Sequence, residues 1–283
     1  KKLIRIIYKY NPKVIFNLAA ETHVDRSIDS PDSFIHSNIL GVFNILELLR
    51  FFKRKKKNIK LIHISTDEVY GDIKHKRSLE QDAFSPSSPY SASKASADHL
   101  VKSYVRTYKL NAIISNCCNN YGPYQFPEKL IPLTIYKAVN LQNIPIYGKG
   151  DQIRDWLYVE DHAEALIKVN LKGNDGETYN IGGNCEMTNL DIVEHICFEL
   201  DKLRPINDKY INKHSDLITF VKDRPGHDYR YAMNIDKIKN KIGWKPKVKF
   251  EVGINKTIKW YLKNLNWYEN NLNYKGERLG LIK

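Results

Sequence analysis

Alternating apolar and polar stretches predict a repeating order of strands and helices in the first half of the chain. Short apolar runs predict buried strands over 14–20, 60–65 and 111–117. Between them, apolar residues recur at helical spacing, which predicts helices over 31–53 and 90–109. Strands that alternate with helices indicate a parallel sheet with right-handed crossovers. The predicted fold class is therefore α/β, with a Rossmann-like parallel sheet.

The pattern loosens after residue 117, where shorter elements predict a smaller, interleaved α/β lobe. The expected pieces are a loop running into a helix, short strands and further helices, over 119–132, 144–148, 156–169, 177–183, 188–202, 235–241 and 251–263. No low-complexity linker separates the lobes. We therefore predict a cofactor domain formed by 1–118 plus about 151–183, and a substrate lobe formed by about 119–150 plus 184–283.

Composition narrows the possible functions. The formal charge is +13, but the lysines are dispersed, so nucleic acid is not an expected partner, although the excess charge would attract an anionic nucleotide. No long uninterrupted apolar run predicts a membrane span, and the charged start does not resemble a secretory signal, so a cytoplasmic location is expected. The four cysteines form no C-x-x-C pair, which predicts reduced thiols and no metal site.

A tyrosine and a lysine four residues apart are the first candidate for chemistry. Tyr90 and Lys94 lie on one face of a predicted helix, so the ammonium could favour the phenolate over its usual pKa of about 10. A surface pair is the alternative, because this spacing is common by chance. The preceding segment Ser65-Thr66-Asp67-Glu68, which leaves a buried strand, favours a catalytic interpretation.

The neighbouring carboxylates Asp67 and Glu68 give the most specific chemical prediction. Two carboxyl groups in one partly desolvated pocket tend to divide roles, since one keeps its proton and acts as an acid while the other acts as a base. A solvated turn is the ordinary alternative for such a dipeptide. Arg154 and Arg224 are candidate phosphate ligands, with simple surface arginines as their alternative.

Six segments together resemble the dTDP-glucose 4,6-dehydratases, which are extended short-chain dehydrogenase/reductase proteins. They are LAAETHVDRSI (18–28), ISTDEVYGD (64–72), SPSSPYSASKASADHL (85–100), NNYGPYQFPEKLIP (119–132), RDWLYVEDHAEAL (154–166) and DRPGHDYRY (223–231). The likeness covers essentially the whole chain. It implies NAD as cofactor, a dTDP-glucose substrate, and oxidation at C4 followed by loss of water across C5 and C6 and hydride return to C6.

The resemblance also implies roles for individual residues. The catalytic set would be Thr66, Asp67, Glu68, Tyr90 and Lys94. The cofactor would contact Leu18, Ala19, Ala20, Glu21, Thr22, Ser37, Tyr90, Lys94 and Asn120. The substrate would contact Thr22, Thr66, Asn119, Lys129, Leu130, Pro145, Ile146, Tyr147, Arg154, Asn189, Asp223, Arg224, Pro225, Gly226 and His227. A homodimer formed through the helices around 31–53 and 90–109 is implied as well.

The N-terminal part of the sequence differs from the pattern of this family. Its members begin with a strand and a G-x-x-G-x-x-G loop that binds the cofactor pyrophosphate, whereas the first glycine here is Gly41. We therefore expect an N-terminally truncated member that lacks on the order of 60 residues, or about two βα units. Two alternatives stay open: a UDP-sugar 4-epimerase, which needs no carboxylate pair, and a non-catalytic fragment that does not bind NAD.

Overall fold

The structure is a computed structural model, and it describes residues 2–271. Its helices are α1 (Lys2–Tyr10), α2 (Val24–Asp29), α3 (Pro31–Phe34), α4 (Gly41–Arg54), α5 (Pro89–Tyr108), α6 (Leu130–Val139), α7 (Val159–Lys172), α8 (Asn189–Leu203), α9 (Asp236–Ile242), α10 (Phe250–Lys263) and α11 (Leu265–Asn271). The strands are β1 (Val14–Asn17), β2 (Lys60–Thr66), β3 (Ala112–Cys117), β4 (Asn119–Tyr121), β5 (Ile144–Tyr147), β6 (Ile153–Tyr158), β7 (Thr178–Ile181), β8 (Glu186–Thr188) and β9 (Ile218–Val221). A π-helix, Ile35–Leu40, joins α3 to α4, and 3₁₀ turns cover Asp67–Tyr70 and His214–Leu217.

A four-stranded parallel sheet forms the centre of the first lobe. Its strand order is β1-β2-β3-β7, and every pairing in it is parallel. Ile62 and Ile113 are fully buried on its central strands, as expected when helices cover both faces of a sheet. The predicted Rossmann-like parallel sheet is thus confirmed.

The second lobe has two small sheets against helices. One sheet has the order β4-β6-β8 and the other pairs β5 with β9 in parallel. Buried side chains of α6, α8 and α10, such as Ile135, Ile196 and Ile254, form its core. The sequence pattern missed β4, β8 and β9, because strands of three or four residues are too short to show a periodicity. It also missed the short helix α11.

The chain returns to the first lobe near its end. Met233, Ile238, Ile242 and Trp244 are buried in the same core as Ile62 of the parallel sheet. This packing assigns the stretch around α9 to the first lobe, whereas the sequence placed it in the substrate lobe. Strand β6 likewise pairs with β4 and β8, whereas the sequence placed it in the cofactor domain, and the rest of the division stays a prediction.

One helical segment, Pro31–Arg54, is long and apolar enough to cross a membrane by length and composition alone. The sequence reading did not expect such a stretch, because polar residues interrupt it. Leu46, Leu49 and Phe52 of this segment are buried in the core beside Leu61 of β2. A helix that supplies part of a protein core passes the same test, so the expectation of no membrane partner stays a prediction.

Candidate active site

Three segments of the chain meet at the carboxyl edge of the parallel sheet. The segment 18–23 follows β1, the turn Asp67–Tyr70 follows β2, and β4 follows β3 after a single residue. Helix α5 begins nearby, because its first turn packs on the turn after β2. In an open parallel sheet this edge is where ligands bind.

The turn after β2 fixes the two neighbouring carboxylates. The Thr66 hydroxyl accepts a hydrogen bond from the Glu68 backbone N–H at 3.3 Å, which caps the 3₁₀ turn. The same hydroxyl donates to Asp67 Oδ1 at 3.2 Å. Gly71 then ends the turn with φ +76°, where a Cβ would lie only 2.0 Å from the Ser85 carbonyl oxygen. The backbone at this point therefore requires glycine.

Helix α5 is locked at its start, which positions Tyr90. Ser88 and Ser91 form a reciprocal capping box, and Pro89 occupies the first helical position. Tyr90 is buried in the first turn and its hydroxyl is hydrogen-bonded to Thr66. The structure thus brings Tyr90, Thr66, Asp67 and Glu68 together in one site.

Burial dominates the electrostatics of Tyr90. Burial and the negative charge of Glu68 raise the Tyr90 pKa well above 10. The Lys94 ammonium donates to the Ile64 carbonyl oxygen at 2.7 Å and is itself buried. Its support of a Tyr90 phenolate stays a prediction, and it would act against the desolvation of the phenol.

The two carboxylates have different surroundings. Burial and the charge of Glu68 raise the Asp67 pKa to about 8, so Asp67 keeps its proton at neutral pH. Burial also raises the Glu68 pKa, but the cations of Arg224, Arg154 and Lys129 oppose this rise. The site can therefore hold one neutral acid and one carboxylate side by side.

Tyr231 and Asp228 are site residues that the sequence reasoning missed. The Tyr231 hydroxyl donates to Asp228 Oδ2 at 2.6 Å and lies 3.5 Å from Glu68 Oε2. The Arg154 guanidinium stacks 4.3 Å above the Tyr231 ring. Both residues stand in the segment 223–231 that carried the resemblance, yet nothing in that segment shows that it reaches the turn after β2.

Asn38 is a second missed residue, in the middle of the π-helix. Its side chain bonds both the N–H and the carbonyl of Glu21, at 2.9 and 3.0 Å, and donates to Ser93 Oγ at 2.9 Å. The loop after β1 is thereby joined to α5. The π-helix, an uncommon conformation that occurs often at functional sites, was not predicted.

The predicted substrate residues Thr22, Lys129, Arg224 and Tyr147 form two small polar contacts between the lobes. Lys129 donates to the Thr22 carbonyl oxygen at 2.8 Å. Arg224 donates to Asp25 Oδ1 at 3.0 Å, and the Tyr147 hydroxyl donates to Asp25 Oδ2 at 2.9 Å. The buried Asp25 thus joins Arg224 and Tyr147.

The turn 223–227, which carries Arg224, is held by a contact between its two ends. His227 Nδ1 and Asp223 Oδ1 are 2.7 Å apart, and Gly226 adopts φ +63° between them. Pro225 precedes this glycine. The contact between His227 and Asp223 therefore fixes the backbone that carries Arg224.

Two predicted substrate contacts are engaged within the protein. The Arg154 guanidinium donates to the backbone carbonyls of Ile153, Tyr229 and Asp228 at 2.8, 3.3 and 3.0 Å, which uses part of its five N–H donors, and its contact with the substrate stays a prediction. Ile146 in β5 is 2% exposed and packs in the lobe core. Only backbone atoms of Ile146 could contact a ligand.

The other predicted substrate contacts stand at element ends. Asn119 begins β4, Leu130 begins α6 and Asn189 begins α8, while Pro145 lies within β5. These elements fix the positions of the backbone groups of the four residues. A role in binding stays a prediction for each.

Of the predicted cofactor residues, Leu18 and Glu21 stand in the loop after β1, Ser37 lies in the π-helix bonded to that loop, and Asn120 lies in β4. Leu18 is 62% exposed at the end of β1, next to Ala19 and Ala20. Ser37 lies in the π-helix beside Asn38. Asn120 Oδ1 is buried without a hydrogen-bond partner, as expected of a group that bonds a ligand. Within residues 2–271, no group of three or more His, Cys, Asp or Glu residues could hold a metal ion.

Comparison with known proteins decides between related families. Residues 1–257 match the family model described as GDP-mannose 4,6 dehydratase. The chain is 53% identical to dTDP-glucose 4,6-dehydratase of Salmonella typhimurium over 93% of the chain and 76% of that protein. It is 52% identical to dTDP-glucose 4,6-dehydratase 1 of Escherichia coli K12, with the same coverage. The chain belongs to the dTDP-glucose 4,6-dehydratase family.

Solved structures agree with this family assignment. The dTDP-glucose 4,6-dehydratase of Bacillus anthracis, crystallised with NAD, superimposes with a TM-score of 0.81 at 43% identity, over 95% of this chain and 79% of that one. A UDP-glucose 4-epimerase of Thermus thermophilus reaches a TM-score of 0.80 at 25% identity, over 93% and 81%. Fold similarity is thus nearly equal for both families, and sequence identity separates them.

Proposed function

We propose that this protein converts dTDP-glucose to dTDP-4-keto-6-deoxyglucose with the loss of one water. The observation that carries this proposal is the pair of adjacent carboxyl groups, the buried Asp67 and the half-buried Glu68, beside the hydroxyls of Thr66 and Tyr90. A 4-epimerase needs a base for one hydroxyl only. An adjacent acid and base with different proton affinities suit an elimination.

NAD is the proposed cofactor, as in the family members crystallised with it. The proposed contacts are Leu18, Ala19, Ala20, Glu21, Thr22, Ser37, Tyr90, Lys94 and Asn120. The unpartnered amide oxygen of Asn120 and the exposed Leu18 side chain fit a ligand with polar and apolar parts. When bound, NAD would accept hydride from C4 of the sugar and return it to C6.

The side chains of the chain itself would carry the proton transfers. Tyr90 takes the proton of the 4-hydroxyl, with Thr66 hydrogen-bonded to it and Lys94 supporting the phenolate. The 4-ketone acidifies the C5 hydrogen, which Glu68 removes. Asp67, which keeps its proton up to about pH 8, protonates the departing 6-hydroxyl, so that one water leaves.

The nucleotide end of the substrate is assigned to the second lobe. We assign its binding to the turn Asp223–His227, Lys129 and Tyr147, with backbone groups at Asn119, Leu130, Pro145, Ile146 and Asn189. Lys129 and Arg224 supply positive charge for a diphosphate. Arg154, which stacks on Tyr231 near Glu68, is proposed as a further substrate contact.

The decisive experiment is incubation of the purified protein with NAD and dTDP-glucose. We expect an alkali-sensitive 4-keto chromophore, and Glu68→Gln should lower its rate of formation by about 10²-fold or more, because the base of the elimination is lost. Glu164→Gln, a surface change on α7, is the control. A 4-epimer as the product, or a protein that binds no NAD, would overturn the proposal.

A cytoplasmic homodimer completes the proposal. Ile35, Leu40, Phe43 and Phe51 on the segment 31–54 are all at least 38% exposed, which suits burial against a second copy. The four cysteines are unpaired, in keeping with a reducing compartment. Light scattering should give twice the mass of 33.0 kDa; a monomer would contradict the dimer.

A further inference from the structure

A second buried network lies directly behind Lys94, on the side away from Tyr90. Tyr90, Lys94 and Asp98 occupy positions i, i+4 and i+8 of α5, so they share one helix face. Asp98 is fully buried. Its Oδ2 accepts a hydrogen bond from Ser65 Oγ at 2.7 Å, and its Oδ1 lies 3.4 Å from His63 Nε2.

The proton on His63 is fixed by its neighbour Asn17. The Asn17 amide nitrogen can only donate, so the hydrogen of the neutral ring lies on Nε2, which stands 3.4 Å from Asp98 Oδ1 without forming a hydrogen bond to it. Nδ1 then accepts from the Asn17 amide at 3.2 Å. His63 is fully buried, and burial lowers its pKa, so the ring stays neutral. The network therefore contains one formal charge, the Asp98 carboxylate.

The charges facing this carboxylate are few. Lys94 and Lys102 stand one turn to either side of it on α5, where its charge raises the pKa of each against the lowering by burial. Tyr70 of the turn after β2 and His63 are the other titratable groups near it. Cys117 at the end of β3 faces Lys94, and its thiol pKa is raised to about 12, so it is neutral at physiological pH. Asp98 is thus the anion that balances the buried ammonium of Lys94.

This balance matters because Lys94 has no carboxylate partner of its own. Its ammonium donates to the carbonyl oxygen of Ile64, the strand residue between His63 and Ser65. A buried ammonium without a nearby anion loses its proton readily. An uncharged Lys94 could not stabilise a Tyr90 phenolate.

We propose that Asp98, which accepts a hydrogen bond from Ser65 and lies beside neutral His63, is a positioning residue that keeps Lys94 charged and in place one helical turn from Tyr90. The proposal rests on the proposed function of Lys94. Asp98 touches neither substrate nor cofactor residues in this scheme. Its effect on catalysis runs through the charge of Lys94 alone.

The direct test is the titration of Lys94 itself, which needs no turnover. Protein labelled with ¹³C at lysine Cε, with Lys94→Arg for assignment, would give the Lys94 pKa by NMR in the wild type and in Asp98→Asn. We expect the transition to move to lower pH by about one unit or more. An unchanged transition would overturn the proposal, whether or not the protein is a dehydratase.

The kinetic test separates positioning from a merely structural role. In Asp98→Asn the alkaline limb of the kcat profile should move to lower pH, with KM for dTDP-glucose changed less than about twofold, since Asp98 lies outside the substrate site. Asp161→Asn, which alters another buried acid that accepts two backbone N–H groups, should lower stability without moving that limb. A limb that stays in place in Asp98→Asn would overturn the proposal.

Ser65→Ala covers the case in which Asp98→Asn fails to fold. This change leaves the carboxylate charge and removes the 2.7 Å bond that holds it. The Lys94 transition should then move in the same direction by a smaller amount. A Lys94 pKa equal to that of the wild type would show that the network does not position it.

Discussion

Asp67 and Glu68 show how two adjacent residues of one chemical kind acquire different roles. Burial and the charge of Glu68 raise the Asp67 pKa to about 8, and Arg154 opposes this rise. Glu68 faces three cations that oppose its rise. The sequence predicted a division of roles, but the cations come from 129, 154 and 224, far along the chain. Which residue keeps its proton is therefore set by tertiary contacts.

Holding Asp67 neutral should cost stability as the pH rises. Its folded pKa of about 8 lies above the ordinary 3.8, so between those values the folded state holds a proton that the unfolded state has lost, and stability falls with increasing pH. Asp67→Asn is neutral at every pH. Its free energy of unfolding should exceed that of the wild type by a margin that widens by about 1 kcal/mol per pH unit from pH 4 to 8.

Urea denaturation of both proteins across that pH range measures the margin. A difference that stays constant with pH would contradict the pKa shift. A difference that shrinks toward pH 8 would mean that the folded-state pKa of Asp67 is lowered and not raised. The same Asp67→Asn variant should lose dehydratase activity, since it lacks the acid for the leaving hydroxyl.

At the scale of elements, the turn between β2 and α5 determines whether the site forms. On one side of it, strand β2 places Thr66, and on the other side the capped helix α5 places Tyr90. Apolar periodicity predicted both elements closely. It did not predict the π-helix around Asn38, because apolar spacing indicates that a segment is helical and does not show which backbone hydrogen bonds form within it.

Gly71→Ala should disrupt this turn, and Gly243→Ala is its matched control. Both glycines have similar positive φ, +76° and +72°, but a Cβ at Gly71 would meet the Ser85 carbonyl at 2.0 Å, whereas one at Gly243 meets nothing within 4 Å. Gly243→Ala should cost about 1 kcal/mol from the backbone alone. Gly71→Ala should cost clearly more in urea denaturation and should also lower kcat.

The comparison of the two variants isolates the steric contact. Equal losses of stability would mean that the backbone at residues 71–85 adjusts without strain. In that case the turn would not be the rigid element that holds Asp67 and Glu68. Retention of full kcat in Gly71→Ala would lead to the same conclusion.

For the whole molecule, the two lobes are built from a chain that crosses between them several times. Strand β6 belongs to the small sheet with β4, while β7 returns to the parallel sheet and α9 packs beside it. Both lobes therefore contribute to the surroundings of Glu68, with Lys129 and Arg224 from the second lobe. These cations belong to a chain with a net charge of +13.

This charge should make substrate capture depend on salt. A net positive field accelerates association of a nucleotide sugar diphosphate, and ions screen it over about 8 Å at 0.15 M ionic strength. We expect kcat/KM for dTDP-glucose to fall several-fold between 20 and 500 mM NaCl (roughly the range over which screening becomes strong), with kcat nearly constant. A kcat/KM independent of salt would show that the net charge does not steer the substrate.

The sequence by itself determined the parallel sheet, the family and the chemical kinds of the site residues, because apolar periodicity and short motifs are local properties that each segment carries. Only the tertiary structure decided that Tyr231 reaches Glu68, that Arg154 serves backbone carbonyls, that desolvation raises the Tyr90 pKa, and that Asp98 stands with His63 and Ser65 behind Lys94. These relations join residues distant in the chain, and burial depends on everything packed around a group. Neither can be read from the segment in which a residue stands.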